Sequence, residues 1–575
     1  MLRFPRTEFV QLFGSTFVPH ATDRIHRSGR ERGQHASNSA NSRYDHQGLL
    51  PFDREDAHVV PLLIETMRSK DTQVLIVGAG PTGLALACDL ARRGVRFRII
   101  DKADTYFIGS KGKGLQPRSL EVLDDFGIVD EILGLGKFHI PFRIYDGATV
   151  LGEKDIHEGR HPTPNTPYAS PMILPQWRVE ERLRALLQRH GADVELSTEL
   201  ISLKQDDRGV TATLQIQSGE EIVHCAYLVA VDGGRSFVRK SLDVPFEGDT
   251  WKDERMYVGD VRLRGLDREA WHSWPNHPGG GLALCPLPST DTYQIQAQLP
   301  EGIEEEPSLQ LFQRLVTERT GGMDIELTDA PWLSLYRANV RMASQFRIGR
   351  IFLAGDAAHV HSPAGGQGMN TGIQDAYNLG WKLGSVLNGA PDELLDTYEE
   401  ERLPVAATVL GISTRLHRQV SSGDEEFLRR DAVTLQLGIT YSEMSLSRTS
   451  GDVKLRISAG DRAPDAPGLS PDGSPVRLFD AFRGPRFTLL RLFPGDHSLS
   501  VDDLKNVKTI DVLKSKDYVD KGTSNLKFVD AFSHVAQAYG DGHGELVLVR
   551  PDGYVGWMGL PEKLADLRAY LAFIS

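Results

Sequence analysis

From Gln73 the chain is apolar through QVLIV, turns at Gly78-Ala-Gly80, and repeats apolar residues at helical spacing through PTGLALACDLARRG. A second apolar run, VRFRIID, follows. An unbroken apolar run reads as a strand buried on both faces, and a period near 3.6 reads as an amphipathic helix. The order predicts a strand–helix–strand unit of about 30 residues with parallel strands. Further helices are predicted at about 117–126 and, from RVEERLRALLQRH, at about 178–190. Segment 193–230 reads as three strands, within DVELSTELISLKQ, GVTATLQI and HCAYLVA. Residues 245–340 mix short strands such as LALCPLP and TYQIQAQLP with one helix at about 307–318. A strand in IFLAGDAA and a long helix at about 370–388 return the chain to the first pattern, and helices continue to about 420. SSGDEE then precedes a helical stretch of unassigned role to about Ser445. The run GDRAPDAP at 460–467 marks the start of a further domain, and the tail alternates strands (RFTLLRLF, ELVLVR) with helices.

The patterning fails at the start. Segment 20–47 is polar, rich in Ser, Arg, His and Asn, and cannot bury enough apolar surface to offset its ordering entropy. The opening MLRFPRTEFVQLFGSTF interleaves arginines with aromatics as a mitochondrial presequence does, but Glu8, Asp23 and Glu31 argue against import. A disordered extension over 1–69 and a cytoplasmic protein are expected.

Composition narrows the classes. A chain of 575 residues has room for two to four domains, and 40% hydrophobic with 25% charged residues is ordinary for a soluble protein. A formal charge of −13 provides no basic field for nucleic acid. No apolar stretch approaches the roughly 20 residues that cross a bilayer. Cys88, Cys225 and Cys285 lie far apart, which suits a reducing compartment and implies neither disulfide nor metal site.

Three motifs carry the chemistry. Gly78-Ala-Gly80-Pro81-Thr82-Gly83 follows an apolar strand and opens a helix, the context of a dinucleotide fingerprint. Gly78 permits the turn, Gly80 admits a pyrophosphate, Gly83 allows helix–strand packing, and Asp101 ends the next strand where a ribose would lie. The fingerprint alone fits FAD or NAD. Gly355-Asp356-Ala-Ala-His359 also ends a strand, with Asp356 set to bond a ribityl hydroxyl. Behind it Ser362-Pro363-Ala-Gly-Gly366-Gln367-Gly368-Met369-Asn370-Thr371 runs into the long helix, where backbone N–H groups would stabilise charge on a reduced flavin. The third motif, Asp232-Gly233-Gly-Arg-Ser236-Phe-Val-Arg239, follows the strand AYLVAV.

Together, in this order, these motifs resemble the para-hydroxybenzoate hydroxylase-type (class A) flavoprotein monooxygenases over about 72–420. GSKGKGLQPRSLEVLDDFGI, WRVEERL, EERLPVA and VRPDGYVGW resemble the phenol hydroxylase, rifampicin monooxygenase and polyketide hydroxylase branch. The resemblance implies an α/β fold, α+β overall. A Rossmann-like FAD-binding core over 70–420 would carry an interleaved mixed-sheet substrate domain, mainly in 138–175 and 245–340. A linker over 421–454 would join it to a thioredoxin-like domain over 455–575, which has no CxxC and so no thiol–disulfide role. It further implies FAD as cofactor and NADPH or NADH as co-substrate. A small phenolic or polyketide-like aromatic would be hydroxylated with O2 through a flavin C4a-hydroperoxide, in a possible homodimer. Carried over by position, Gly78, Gly80, Pro81, Thr82, Gly83, Asp101 and Lys102 would hold the ADP half of FAD. Lys111, Gln116, Arg118 and Arg178 would lie near the pyrophosphate or ribityl chain. Asp232, Arg239, Gly355 and Asp356 would complete the cofactor site, with Pro363 and Gly366, Gln367, Gly368, Met369 and Asn370 against the isoalloxazine.

The catalytic groups are less defined. His361 and Pro363 are candidates, although the favoured reading of His359 and His361 is that they orient the flavin loop through backbone hydrogen bonds, with His361 kept as an aid to proton transfer. Side chains of the 292–298 strand alternate, so Tyr293 points away from Gln294 and Gln296, and either face could line the substrate cavity. Tyr293, Pro286 and Tyr336 are candidate substrate neighbours, with sheet packing the alternative for each. Baeyer–Villiger or epoxidising chemistry, and a non-catalytic flavin-binding module, remain alternatives at this point.

Overall fold

A computed structural model describes residues 71–299, 305–361, 366–422, 432–494, 504, 506–514 and 525–575. The expected N-terminal extension, Pro363 and residues 423–431 of the expected linker lie outside them.

The first sheet has seven strands. Thr72–Val77 lies at its heart, parallel to Phe97–Ile100 on one side and to Gly219–Ala230 on the other. Gly219–Ala230 in turn pairs in parallel with Ile351–Leu353. Val74, Leu75, Ile76, Leu228, Val229 and Phe352 are buried completely, as parallel strands covered on both faces must be. The helices Pro81–Arg92 and Gly368–Leu387 pack together on this sheet. Thr82 locks them, because an added Cβ at Gly372 would stand 2.3 Å from its Oγ1.

The second sheet has eight strands and is mostly antiparallel. Its order is His359–Val360, Glu326–Ala343, Phe246–Arg264, Tyr293–Gln298, Leu282–Pro286, Trp271–Trp274, Phe142–Asp146 and Thr149–Lys154. One face packs on the helix Leu309–Arg319 through Tyr257, Trp274, Leu284, Tyr293, Ile295 and Phe312. The strand His359–Val360 pairs with Met342 and Arg341, joining this sheet to the loop after Ile351–Leu353.

The third sheet, of eight mixed strands, is built entirely from residues from Arg448 onward. Phe487–Leu492 lies inside it, parallel to Val507–Leu513 and antiparallel to Leu546–Val549. Its core cluster is separate from that of the first sheet, while Trp381 and Leu394 join a further cluster with Leu546, Leu548 and Trp557. All three cysteines are buried and unbridged.

The expected helix before Ser445 is absent from the described part of that segment. Residues 432–438 form successive turns instead. Gln436 stands at φ +60°, a left-handed conformation that cannot continue a helix. Among the described residues no helix is long and apolar enough to cross a membrane.

Candidate flavin and substrate site

Parallel pairing brings the three motifs to one edge. The aligned residues Ile100, Val77, Ala230 and Leu353 form a row across four strands. The chain just beyond that row supplies Asp101, Gly78, Asp232 and Gly355. Ligands of such sheets bind beyond the carboxyl ends of the strands, so one topological fact collects segments about 280 residues apart.

The glycines there have specific geometry. Gly78 turns at φ +114°, and a Cβ on it would lie 2.4 Å from the Val231 carbonyl oxygen. A Cβ on Gly83 would lie 2.2 Å from the Gly78 oxygen, so that position must stay bare for the helix to pack. Gly80 differs: nothing lies within 4 Å of its Cβ position, which leaves an open approach to the backbone. The helix behind it carries Pro81 at its start and no side-chain cap. The helix Gly368–Leu387 also lacks a side-chain cap. Uncapped helix starts present unpaired N–H groups and positive potential to anions, so both suit a pyrophosphate and a charged ring edge.

The acidic residues divide the work. Asp101 accepts hydrogen bonds from the N–H groups of Ala79 (2.8 Å) and Ala103 (3.0 Å), bracing the glycine turn. Asp232 accepts from the Phe237 and Val238 N–H groups and so caps a short helix. Arg239, buried at 4% exposure, donates to the carbonyls of Ala357 (2.8 Å) and Gly234 (3.0 Å) and covers the Phe246 ring. It therefore ties the Asp232 loop to the Asp356 loop. Asp356 itself is exposed between buried neighbours.

A network not anticipated from sequence holds the flavin loop. Asp375, fully buried, accepts from Gly355 N–H (3.0 Å), His359 Nε2 (2.7 Å) and Arg402 Nε (2.8 Å). Burial alone would raise Asp375, but Arg402 and His359 outweigh it and hold its carboxyl below the ordinary range. His359 thus orients the loop through a carboxylate, not through the backbone bond expected for it. Its ring lies parallel to that of His361 at 6.5 Å. Asn370 staples the loop from the other side: its Oδ1 accepts from Gln116 N–H (2.7 Å), and its Nδ2 donates to the Gly114 and Gly366 carbonyls. Gln367 turns away to the Thr434 carbonyl and to Gln436, whose amide also meets Thr371 and Gln374. The turns at 432–438 therefore anchor the start of the long helix. Met369 is half-buried beside Gly112.

Other candidates stand elsewhere. Arg118 does not reach toward the glycine turn. Its buried guanidinium pairs with Glu121 (2.7 Å), donates to the Asp552 carbonyl (2.5 Å) and lies over Tyr554. Near the start of its helix, its side chain points to the third sheet, which corrects the expectation of a phosphate contact. Arg178 pairs with Glu181 and donates to the Ser289 carbonyl. Lys102 is exposed near Glu199, and Lys111 covers the Phe107 ring.

The second sheet settles which face meets the site. Cross-strand pairs align Trp332, Asp260, Gln294 and Cys285 in one row, and Tyr336, Met256 and Gln298 in another. These rows share a face, because directly opposed residues and residues two apart point the same way. That face touches the flavin domain. Ser110 N–H donates to Asp260 Oδ2 (2.8 Å), Gln294 Nε2 donates to the Ser110 carbonyl (2.5 Å), and Tyr336 hydroxyl reaches the His361 carbonyl at 3.5 Å. Tyr336 is thus on the face turned to the flavin loop. Tyr293 is not: its hydroxyl donates to the carbonyls of Leu266 and Asp267, and its ring packs in the opposite core. Pro286 pairs directly with Tyr293 and is buried on that same packed face. Both are corrected as substrate neighbours. The strand's alternation separates the two faces, with Tyr293, Ile295 and Ala297 on one and the glutamines on the other, and packing against the helix Leu309–Arg319 makes the first the core.

Comparison with known families identifies the chain's relatives. Residues 71–413 match the FAD binding domain family, and residues 457–574 match the aromatic-ring hydroxylase C-terminal family. The chain belongs to the class A FAD-dependent aromatic monooxygenases. It is 44% identical to a flavin-dependent monooxygenase of Mycobacteroides abscessus over 500 residues, 84% of this chain and 96% of that protein. It is 33% identical to the 6-methylpretetramide 4-monooxygenase of Streptomyces rimosus, covering 87% of this chain and 93% of the relative. The crystal structure of aklavinone-11 hydroxylase with FAD and aklavinone superimposes with a TM-score of 0.72 at 27% identity, covering 88% of this chain and 98% of that one. The monooxygenase is an oxidoreductase with FAD as its cofactor and NAD(P)H, as is typical of the family, as its electron donor. These relatives do not favour the Baeyer–Villiger, epoxidising or non-catalytic alternatives.

Proposed function

We propose that this monooxygenase hydroxylates a phenolic ring of polyketide-like size, held between the Gly366–Asn370 loop and the Asp260–Gln294–Tyr336 face of the second sheet. The observation that carries this reading is the buried polar face itself. Asp260 and Gln294 are each 2% exposed, in a sheet whose other face is apolar. Buried polar side chains cost free energy unless they have partners, and a substrate with several oxygens would use them. Relatives named for 6-methylpretetramide and aklavinone support a ring system of that size, and one named for pentachlorophenol marks the phenol as the shared feature.

In this reading Gly78, Gly80 and Gly83 with Pro81 and Thr82 receive the pyrophosphate, and Asp101 accepts from the ribose while bracing the turn. Asp356 accepts from the ribityl chain, and backbone N–H groups from Gly366 to Asn370 face the isoalloxazine. When bound, FAD takes hydride from the nicotinamide and activates O2 for transfer to the ring. The chain's own share is to orient the ring, exclude water and manage the phenol proton. His361, whose backbone carbonyl meets the Tyr336 hydroxyl, is the titratable group on the loop nearest that face and suits proton relay at the cofactor side. A cytoplasmic homodimer completes the proposal.

Purified FAD-loaded protein, NADPH or NADH, and isotopically labelled O2 test it against a panel of phenols and hydroxyanthraquinones. Mass spectrometry should find a product with one labelled oxygen. Consumption of nicotinamide with labelled H2O2 alone from every compound would contradict the hydroxylase assignment for this panel.

A further inference from the structure

One lysine facing the second sheet has no carboxylate within 4 Å among the described residues. That lysine, Lys113, is half-buried. Its Nζ donates to Gln294 Oε1 and sits 4.1 Å from the centre of the Trp271 ring. The amide that receives Lys113 is fixed from its other end. Gln294 Nε2 donates to the Ser110 carbonyl, and Ser110 N–H donates to Asp260 Oδ2. Gln296 donates to the same Gln294 oxygen at 3.0 Å. Three hydrogen bonds therefore run from an ammonium to a carboxylate without joining them directly. Asp260 is 2% exposed, and its second oxygen, Oδ1, is buried without a hydrogen-bond partner.

A half-buried ammonium without a counter-charge is costly, and so is a buried carboxylate oxygen with no donor. A neutral ligand carrying one acidic hydroxyl would relieve both. Resting on the aromatic-hydroxylase reading above, we propose that Lys113 and Asp260 form an ionising pair that takes the substrate phenol as its phenolate. The O–H bond breaks and its electron pair stays on the phenol oxygen. The proton passes to Asp260 Oδ1, and the Lys113 ammonium balances the new anion; nothing is oxidised or reduced. A phenolate is the more electron-rich ring, so ionisation at this point favours attack by an electrophilic oxygen. This makes both residues catalytic and adds a selection rule: the ring must bring an ionisable hydroxyl to the row Asp260–Gln294.

The electrostatics agree with the geometry. Burial pushes Asp260 up to about 6, against hydrogen bonding from Ser110 and the Lys113 charge, which suits a carboxylate that accepts a proton near neutrality. Burial pulls Lys113 down, and Asp260 offsets it only in part, so an anion beside Nζ supplies the missing counter-charge. Cys285, pushed up by burial to about 11, stays a neutral thiol.

The test uses two dyes whose colour reports ionisation, 4-nitrophenol and alizarin, bound to the FAD-loaded enzyme without nicotinamide. On wild type the apparent pKa of the bound dye should fall by roughly 1 to 3 pH units from its value in solution. Lys113→Met and Lys113→Gln should both abolish that fall, and Lys113→Arg should retain it. Asp260→Asn should keep the coloured bound form but slow its appearance in stopped flow by about 100-fold or more. Flavin absorbance of each variant reports an intact fold. A wild-type dye that stays neutral, or neutral Lys113 variants that keep the wild-type fall, would overturn the pair. If the dyes ionise as expected but no labelled product forms, the pair stands and the hydroxylase reading fails. Labelled product without dye ionisation overturns the pair and leaves the hydroxylase reading in place.

Discussion

The two halves of the active site are made of different material. The flavin half proposed above is built from backbone: strand ends, bare glycines and two uncapped helix starts, with the exposed Asp356 beside them. The proposed substrate half is built from side chains on a sheet face: Asp260, Gln294, Gln296 and Tyr336, with Asp260 and Gln294 joined to Ser110 and Lys113. A cofactor that never changes can be held by main chain, whose geometry is set by topology. A substrate that differs between relatives must be read by side chains, which can change without disturbing the fold. Behind both lies a third material, buried charge. Glu401 accepts from Arg550 (2.5 Å) and Lys382 (2.7 Å), and Arg550 also holds Asp552, which accepts from Trp381. This network bolts the third sheet to the long helix whose first turn carries the flavin loop.

That division can be broken at each layer. The largest effect belongs to the buried charges. Glu401→Ala leaves Arg550 and Lys382 without that carboxylate in the interior and should cost about 3–5 kcal/mol in urea unfolding. The same carboxylate predicts acid sensitivity. Burial alone would raise Glu401, but Arg550 and Lys382 outweigh it and lower it from 4.5 to about 2, so the unfolded chain binds its proton more tightly. Its contribution to stability is complete above pH 4.5 and lost as pH falls toward 2. Thermal melts across that window should show the loss in wild type and a smaller one in the alanine variant.

Next comes the backbone layer. Gly83→Ala pushes a Cβ against the Gly78 carbonyl and should cost about 1–3 kcal/mol with loss of bound flavin. Asp356→Ala should separate binding from folding. It should weaken FAD by roughly tenfold or more through a lost charged hydrogen bond, while stability stays within about 0.5 kcal/mol. Flavin release followed by fluorescence, beside a melt, checks both variants. An equal loss of stability in the Asp356 variant would erase the distinction between a ligand contact and a structural residue.

The smallest effect separates the two faces of the substrate sheet. Tyr293→Phe removes a hydroxyl bonded to backbone and should cost about 1 kcal/mol of stability with KM unchanged. Gln296→Leu, on the opposite face, should raise KM with little change in melting temperature. The reverse pattern would mean that the substrate lies on the other side.

The same division explains what can be read without coordinates. The glycine turn, the strand ends at Asp101, Asp232 and Gly355, and the long helix after Gly368 are local, so spacing reveals them. His359 with Asp375, and Arg402 with Asp375, are encounters between distant elements, and no local pattern announces them. Arg118 escapes a positional reading for the same reason, since its partners Asp552 and Tyr554 lie more than 400 residues away. Tyr293 misleads for a different one. An aromatic residue near a site invites a substrate role, but Tyr293 shares its face with Ile295 and Ala297, and packing against the helix Leu309–Arg319 makes that face the core. Lys113 is hard to tell from Lys111 in sequence because the two differ only in direction: one covers the exposed Phe107 ring, the other the Trp271 ring of the second sheet.

The most direct test is a crystal structure of the FAD-loaded enzyme with alizarin bound. It should show the flavin along the Gly78–Gly83 turn and the Gly366–Asn370 loop, and a ring hydroxyl of alizarin beside Lys113 and Asp260. Alizarin against Tyr293 and Pro286, or a flavin that bypasses the Gly366–Asn370 loop, would contradict this arrangement.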